Sequence, residues 1–304
     1  MRDLVTLMLI TIALAWCADH VAFGPVKHNR RQRLIVCTVV IIILLAGFAG
    51  LRTRCNDTAT YRYSYKLLTE KLWEASDKSI GSNPLFNWVN YRLKMHGVST
   101  QNFLMFWAFL TVGCYFIFVH KYSVNYPLTI FLLFVTGCYT FAFAGIKQAA
   151  AVGISVIATM FALKKKWLLF AVGILIATLI HPYSLMYLAV PFMTFKPWTK
   201  ITYWMLAAFI AAGFLLRPLL GTVVNITTLL GEEYTVSSFT GDGVNMFRVL
   251  VCNVPMVLSF LYRKKLFADS SEAENLAMNL TMLNGAIMFD GLFGTANYFA
   301  RLAN

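Results

Sequence analysis

The sequence predicts an all-α fold, a polytopic transmembrane helical bundle of about nine or ten spans that forms one integral membrane domain over residues 1–304. Hydrophobic residues make up 59% of the chain and charged residues only 13%, whereas a soluble domain carries about 25% charged residues. Apolar runs long enough to cross a bilayer recur along the whole chain. Short clusters of Lys and Arg separate these runs, which is typical of loops that set membrane topology.

The predicted spans are apolar segments long enough to cross about 30 Å of hydrocarbon. They cover residues 4–23, 34–51, 102–119, 126–143, 146–163, 201–220, 245–262 and 276–293. No small-residue cleavage site follows the first run, so we expect an uncleaved first span. The segment 167–195 is long for one span, and His181-Pro182 interrupts it. Splitting it there places the basic clusters at 164–166 and 196–200 on one side of the membrane, as the positive-inside rule prefers.

This topology places the basic loops in the cytoplasm, and the N-terminus and residues 52–101 outside. One conflict remains, because residues 52–101 hold eight Lys/Arg against four Asp/Glu. Tyr61, Tyr65 and later leucines recur there at helical spacing, and Asn83-Pro84 predicts a helix start with an Asn N-cap. We therefore expect interfacial amphipathic helices in this extracytoplasmic segment, and a second outer loop over residues 221–244.

Composition narrows the function classes. The net charge of +13 is explained by the basic loops, so no nucleic-acid partner is expected. The six cysteines show no metal or redox spacing, and phosphate-binding glycine motifs are absent. We expect neither a metal nor a cofactor.

Several ionisable residues fall near the predicted outer boundary of the membrane. They are Arg52, Arg54, Asp57, Lys147, His181, Arg217, Arg248 and Arg301. Ionisable groups at membrane depth are costly and usually face a bundle interior or an aqueous cavity. Since they come from separate segments, we expect a shared cavity. Arg217, which precedes Pro218, also fits a kinked helix with a snorkelling side chain.

The other residues have plain structural interpretations beside the functional ones. Arg52 and Arg54 fit the snorkelling end of a span. Asp57 fits a helix N-cap. Lys147 fits an interfacial anchor, and His181 fits a histidine that is simply hydrogen-bonded where the span breaks.

Four segments carry a resemblance to a known family. They are Ala49–Arg52 followed by Asn56–Thr58 and Tyr61, Asn83–Trp88, Gly145–Ala151, and Leu175–Leu185. In order and spacing they resemble the EpsG-like family of bacterial exopolysaccharide proteins, which is grouped with Wzy-type polysaccharide polymerases. The resemblance covers nearly the whole chain.

The chain departs from the family pattern at three positions. Lys147 stands where Arg is usual, which keeps the charge but loses bidentate geometry. Asn56 replaces a glycine, and the acidic residue before Pro84 is absent. Residues 297–301 look like the start of a further family segment, so we expect missing C-terminal helices.

The resemblance implies polymerisation of repeat units carried on polyprenyl pyrophosphate, at the outer face of the cytoplasmic (inner) membrane. Asp57 is then the expected base and His181 the residue that orients substrate, or the reverse. The implied substrate-binding residues are Arg52, Arg54, Tyr61, Lys147, Gln148, Arg248 and Arg301. Trp73, Trp88 and Tyr91 are candidates to hold the prenyl chain or sugars.

The expected partners are the lipid-linked oligosaccharide, the bilayer, a flippase, and chain-length or export proteins. Three alternatives stay open. The first is a transporter or flippase of lipid-linked saccharide, and the second is a non-catalytic scaffold of an export complex. The third is a transferase that uses a polyprenyl monophosphate sugar.

Overall fold

A computed structural model describes residues 2–20, 35–53, 55, 57–79, 82–229 and 244–293. Over those residues the chain is all-α, as predicted, and contains no strand. The helices are α1 Arg2–His20, α2 Ile35–Gly50, α3 Thr58–Leu67, α4 Glu70–Ala75, α5 Pro84–Met95, α6 Thr100–Tyr122, α7 Tyr126–Val135, α8 Cys138–Ala144, α9 Ile146–Ala162, α10 Trp167–Ile180, α11 Lys200–Leu229, α12 Met246–Leu261, α13 Arg263–Leu266 and α14 Glu272–Asp290. Two 3₁₀ segments cover Pro182–Met193 and Gly291–Phe293.

The chain divides into two compact units, Met1–Leu185 and Met186–Asn304. In the first unit, α10 packs on α9, α9 on α6, α6 on α2, and α1 on α2 and α7. Large apolar side chains such as Phe103, Trp107 and Ile130 are almost fully buried there. Helix α6 begins where the Ser99 hydroxyl accepts from the backbone N–H of Asn102, which satisfies one unpaired donor of its first turn.

In the second unit, α11 and α12 both pack on α14. A capping box of Ser271 and Glu274 starts α14. The α14 pair, which we define as Asn279 and Asp290, is buried on this helix. The Asn279 amide donates to the carbonyls of Met193 and Phe195, each at 2.8 Å.

Two described helices, α1 and α6, are long and apolar enough to cross a membrane. Helices α7 and α8 meet at a 45° bend and make a third crossing if they count as one span. Five further apolar helices of 10–17 residues are Ile35–Gly50, Ile146–Ala162, Trp167–Ile180, Lys200–Leu215 and Met246–Leu261. The figure of nine or ten spans stays a prediction.

The segment 167–195 breaks where the sequence predicts. Helix α10 ends at Ile180, His181 is its extended C-cap (φ −154°, ψ 120°), and a 3₁₀ segment follows. The predicted amphipathic helices of residues 52–101 are α3, α4 and α5. Helix α11 continues to Leu229, beyond the predicted 201–220 span.

Candidate functional site

A cavity of about 350 Å³ lies in the first unit, walled by α3, α4 and α5 and reaching the start of α9. Aromatic and aliphatic side chains, among them Tyr65, Trp73 and Phe86, form much of its wall. Its other polar lining residues include Tyr61, Ser64, Asn83, Asn87, Asn90 and Lys147. An apolar wall with a few convergent polar groups is typical of a small-molecule site.

The wall is fixed to the helices beneath it by specific contacts. The Trp107 indole N–H donates to Asn90 Oδ1 at 2.9 Å, which ties α5 to α6. The Tyr65 ring stacks on Phe103 with centroids 4.3 Å apart, and its hydroxyl donates to the Val98 carbonyl at 2.9 Å. The cavity wall is therefore held by ring packing and by hydrogen bonds to α6 and to the loop before it.

Trp73, one of the lining residues, belongs to an aromatic stack. The rings of Trp73 and Tyr91 lie 5.1 Å apart and nearly parallel, and the Lys78 ammonium sits 3.5 Å from the Trp73 ring centroid. Trp73 and Tyr91, two of the three residues predicted to hold the prenyl chain or sugars, are thus stacked on each other. Trp88 is half-exposed and does not line this cavity.

Lys147 supplies a cation to the side of the cavity at the start of α9, which we call the floor. It lies in the first turn of α9, which contains no acidic residue. The exposed backbone N–H groups of a helix N-terminus carry partial positive charge. The lysine therefore adds to a positive potential that favours an anionic ligand.

Asn83 joins Lys147 to His181. The Asn83 amide, in the orientation that satisfies its neighbours, accepts from Lys147 Nζ at 3.1 Å and donates to the Ile180 carbonyl at 3.1 Å. The same amide lies 3.4 Å from His181 Nδ1. We call Asn83, Lys147 and His181 the floor cluster.

His181 is buried, with 5% of its surface exposed. Its ring packs edge-on to Tyr183 with centroids 5.0 Å apart, and its backbone carbonyl accepts from the Ser184 N–H. It does not line the cavity itself. Its link to the cavity runs through Asn83.

Arg52 lies aside from the cavity. Its guanidinium donates to the Ala49 carbonyl and, at 2.9 Å, to the Thr58 hydroxyl, and it lies 5.8 Å from the Phe143 ring centroid. Burial lowers the pKa of this guanidinium. These contacts join the end of α2 to the start of α3.

Asp57 occupies the N-cap position of α3, but its side chain makes no capping hydrogen bond. Its carbonyl accepts from the Tyr61 N–H at 3.0 Å, one turn along the helix. Tyr61 lines the cavity, whereas Asp57 and Gln148 do not. Among the predicted site residues, Tyr61 and Lys147 thus line the cavity, and His181 adjoins it through Asn83.

Three predicted site residues lie elsewhere. Arg248 is in the first turn of α12 in the second unit, where its backbone N–H contacts Asn245 Oδ1 at 3.4 Å. Arg54 and Arg301 lie outside the described residues. Within the described ranges, no three His, Cys, Asp or Glu side chains converge as a metal site.

Sequence reasoning missed the amides of the cavity wall. Asn83 was expected only as an N-cap, and Asn87 and Asn90 were not singled out. Their spacing was a usable signal, because positions i, i+4 and i+7 share one face of a helix. Amides repeated on one face among Phe86 and Trp88 indicate a polar surface within an aromatic wall.

The apolar helices define a helical membrane protein, and the cavity is its candidate ligand site. The family model described as EpsG family matches residues 35–304, and the chain belongs to that family. It is accordingly a membrane protein of polysaccharide biosynthesis. Neither a curated protein nor a solved structure matches the chain.

Proposed function

We propose that the protein is a polysaccharide polymerase, a membrane glycosyltransferase of exopolysaccharide, capsule or O-antigen biosynthesis. It joins oligosaccharide repeat units carried on polyprenyl pyrophosphate at the outer face of the cytoplasmic membrane, together with a flippase and chain-length or export proteins. The observation that carries the proposal is the cavity, which combines amides, two phenols and an indole with one lysine at its floor.

The wall suits a neutral saccharide. Sugar hydroxyls both donate and accept, and so do the amides of Asn87 and Asn90 and the hydroxyls of Tyr61 and Ser64. Among the described lining residues there is no carboxylate, so nothing in the wall opposes a ligand that also carries negative charge. A sugar ring attached to a pyrophosphate fits both properties.

The floor suits the leaving group. When the bond between the anomeric carbon and the pyrophosphate oxygen breaks, the electron pair stays on the pyrophosphate. Lys147 at the start of α9 stabilises that growing charge, and a preorganised donor of this kind contributes several kcal/mol in a site that excludes water. Arg52 and Arg54 are proposed as further contacts to the substrate, with Gln148 as an additional donor.

The acceptor hydroxyl must lose its proton as its oxygen attacks the anomeric carbon. We assign Asp57 as the base, since it stands one turn before Tyr61, and His181 as the residue that orients the substrate. General base catalysis is typically worth about 10²–10⁴-fold in rate. The reversed assignment, with His181 as the base, makes a different prediction in the experiment below.

The test is gel profiling of surface polysaccharide in a strain that lacks its own polymerase. The strain is complemented with the wild-type gene or with Asp57→Asn, His181→Ala or Lys66→Ala, all inserted in the membrane at equal level. Lys66 is exposed on α3 and serves as the control. We expect a ladder for wild type and Lys66→Ala, and a single lipid-linked repeat unit for Asp57→Asn.

The outcomes separate the candidate functions. If His181→Ala stops chain growth and Asp57→Asn does not, the two roles are reversed. If repeat units never reach the outer face without this protein, it is a transporter of lipid-linked saccharide and the catalytic assignments fall.

A further inference from the structure

Asn83 has an unusual backbone for its position. Its φ of 59° and ψ of 56° lie in the left-handed region, which side chains other than Gly, Asn and Asp rarely adopt. Asn83 is also buried, with 8% of its surface exposed. Such conformations persist only where the surroundings hold them, and they cluster at functional sites.

The side chain of Asn83 does not cap its own helix α5. It reaches instead to the ends of two other helices. Its oxygen accepts from Lys147 in the first turn of α9, and its nitrogen donates to the last carbonyl of α10, each at 3.1 Å. The His181 ring lies 3.4 Å from the same amide.

Only a neutral amide meets all of these contacts. A carboxylate would accept from Lys147 but would have no N–H for the Ile180 carbonyl. It would also place a negative charge beside the Lys147 ammonium and so neutralise it. Asn83 therefore fixes the Lys147 ammonium without neutralising it.

We infer that Asn83 is a positioning residue, which holds the Lys147 ammonium ready for the pyrophosphate of the lipid-linked substrate and sets the orientation of the His181 ring. This inference rests on the proposed function. Asn83 acts through its two neighbours and takes no proton. Through the neutral side chain of Asn83, anion binding by Lys147 is coupled to the orientation of the His181 ring.

The test uses binding of a defined probe by the full chain in detergent. The probe is farnesyl pyrophosphate, with farnesol as the uncharged counterpart, and affinity is measured by calorimetry. The variants are Asn83→Gly, Asn83→Asp, Lys147→Ala and the double variant Asn83→Gly/Lys147→Ala. Glycine tolerates the left-handed backbone, so Asn83→Gly removes the amide and leaves the turn intact.

Wild type should bind farnesyl pyrophosphate more tightly than farnesol. Asn83→Gly and Asn83→Asp should each weaken pyrophosphate binding about tenfold or more, and farnesol binding should not change. The double variant should bind no more weakly than Lys147→Ala alone, because residues that act as a unit are not additive. Asn102→Asp, the same change at an exposed residue of α6, should leave binding unaltered.

A structural role alone would give multiplicative losses in the double variant, with equal losses for both probes, and that result would overturn the inference. In polymerisation assays, Asn83→Gly should raise KM for the donor and also lower kcat through His181. If coupled pyrophosphate binding is observed but no polymer ever forms, the positioning role stands and the polymerase proposal fails. If polymer forms and the coupling is absent, only the positioning role fails.

Discussion

The floor cluster and the α14 pair both bury polar side chains among apolar helices, yet they differ in hydrogen bonding and in free space. The amide of Asn83 is satisfied at both ends and borders an open cavity. In the α14 pair, Oδ1 of Asn279 and Oδ1 of Asp290 have no hydrogen-bond partner in the described part of the chain. Asp290 also closes against α11, where a Cβ on Gly213 would lie 2.2 Å from its Cγ.

The difference teaches that buried polarity by itself does not mark a ligand site. Polar groups whose hydrogen bonds are satisfied, and which border an open cavity, give a ligand both space and preorganised contacts. An unsatisfied carboxylate in a closed helix contact has a stability cost of about 1–3 kcal/mol and leaves no room for a ligand. We therefore assign function to the floor cluster and a packing role to the α14 pair.

The largest expected effect is on activity at the floor cluster. Lys147→Ala should lower polymer formation about 100-fold or more, since one preorganised donor to a developing charge is worth that much. Quantitative gel profiling of extended chains measures the loss, with Lys66→Ala as the charge-matched control. If Asp290→Asn stops chain growth and Lys147→Ala does not, the assignment is reversed. The functional residues then lie at the α14 pair in the second unit, and not in the floor cluster.

The next effect is on stability in the second unit. Gly213→Ala should cost about 1–3 kcal/mol, because overpacking forces the Asp290 carboxyl or the backbone to shift. Thermal unfolding of the detergent-solubilised protein measures the change. Gly113→Ala on α6 is the matched control, since a Cβ there meets nothing within 4 Å. Equal melting temperatures for both variants would show that the α11–α14 contact is loose.

A smaller gain in stability is expected from Asp290→Asn. The substitution keeps the shape and removes a charge that has no hydrogen-bond partner at Oδ1, so it should stabilise the protein by about 1 kcal/mol. The melting temperature should rise, while the polymer ladder stays as in wild type. A fall in melting temperature would mean that the carboxyl stabilises the contact, contrary to the packing role given above.

The smallest effect concerns the cavity wall. Tyr65→Phe should cost about 1 kcal/mol through loss of the hydrogen bond to the Val98 carbonyl. Burial raises the pKa of the Tyr65 phenol above 10.0, so the folded state favours the protonated form. Its contribution is present below pH 10 and is lost as the pH rises through the folded-state pKa. The melting temperature of wild type should fall over that range more steeply than that of Tyr65→Phe.

The helices and their breaks were predictable from the sequence because they depend on local patterns. Apolar length located α6 and α9, and His181-Pro182 located the end of α10. Asn83-Pro84 correctly marked the start of α5 with Asn83 at the N-cap, but the Asn83 side chain makes no capping hydrogen bond. Its true partners are 64 and 98 positions away in sequence, and no local rule identifies them.

Arg52 shows a second feature that the sequence could not predict, the partners of a long charged side chain. Arg52 was expected to share a cavity with Asp57, because ionisable residues from separate segments fell near the same predicted membrane boundary. In the structure the nearest acceptors of its guanidinium are local, on Ala49 and Thr58. Which acceptor a long side chain reaches depends on how α2 and α3 are oriented, and composition does not encode that orientation.

The lengths of α9 and α10 have a consequence for how deep the floor of the cavity lies. The two helices meet at the exposed lysines 164–166, a basic turn suited to the head-group layer. From there α10, with 14 residues, rises about 21 Å and α9, with 17 residues, about 26 Å. Both stop short of the roughly 30 Å of a hydrocarbon layer. With the basic turn in one head-group layer, we expect Lys147 and His181 to lie short of the opposite boundary, where the charged group of a lipid-linked substrate would have to enter the membrane to meet them.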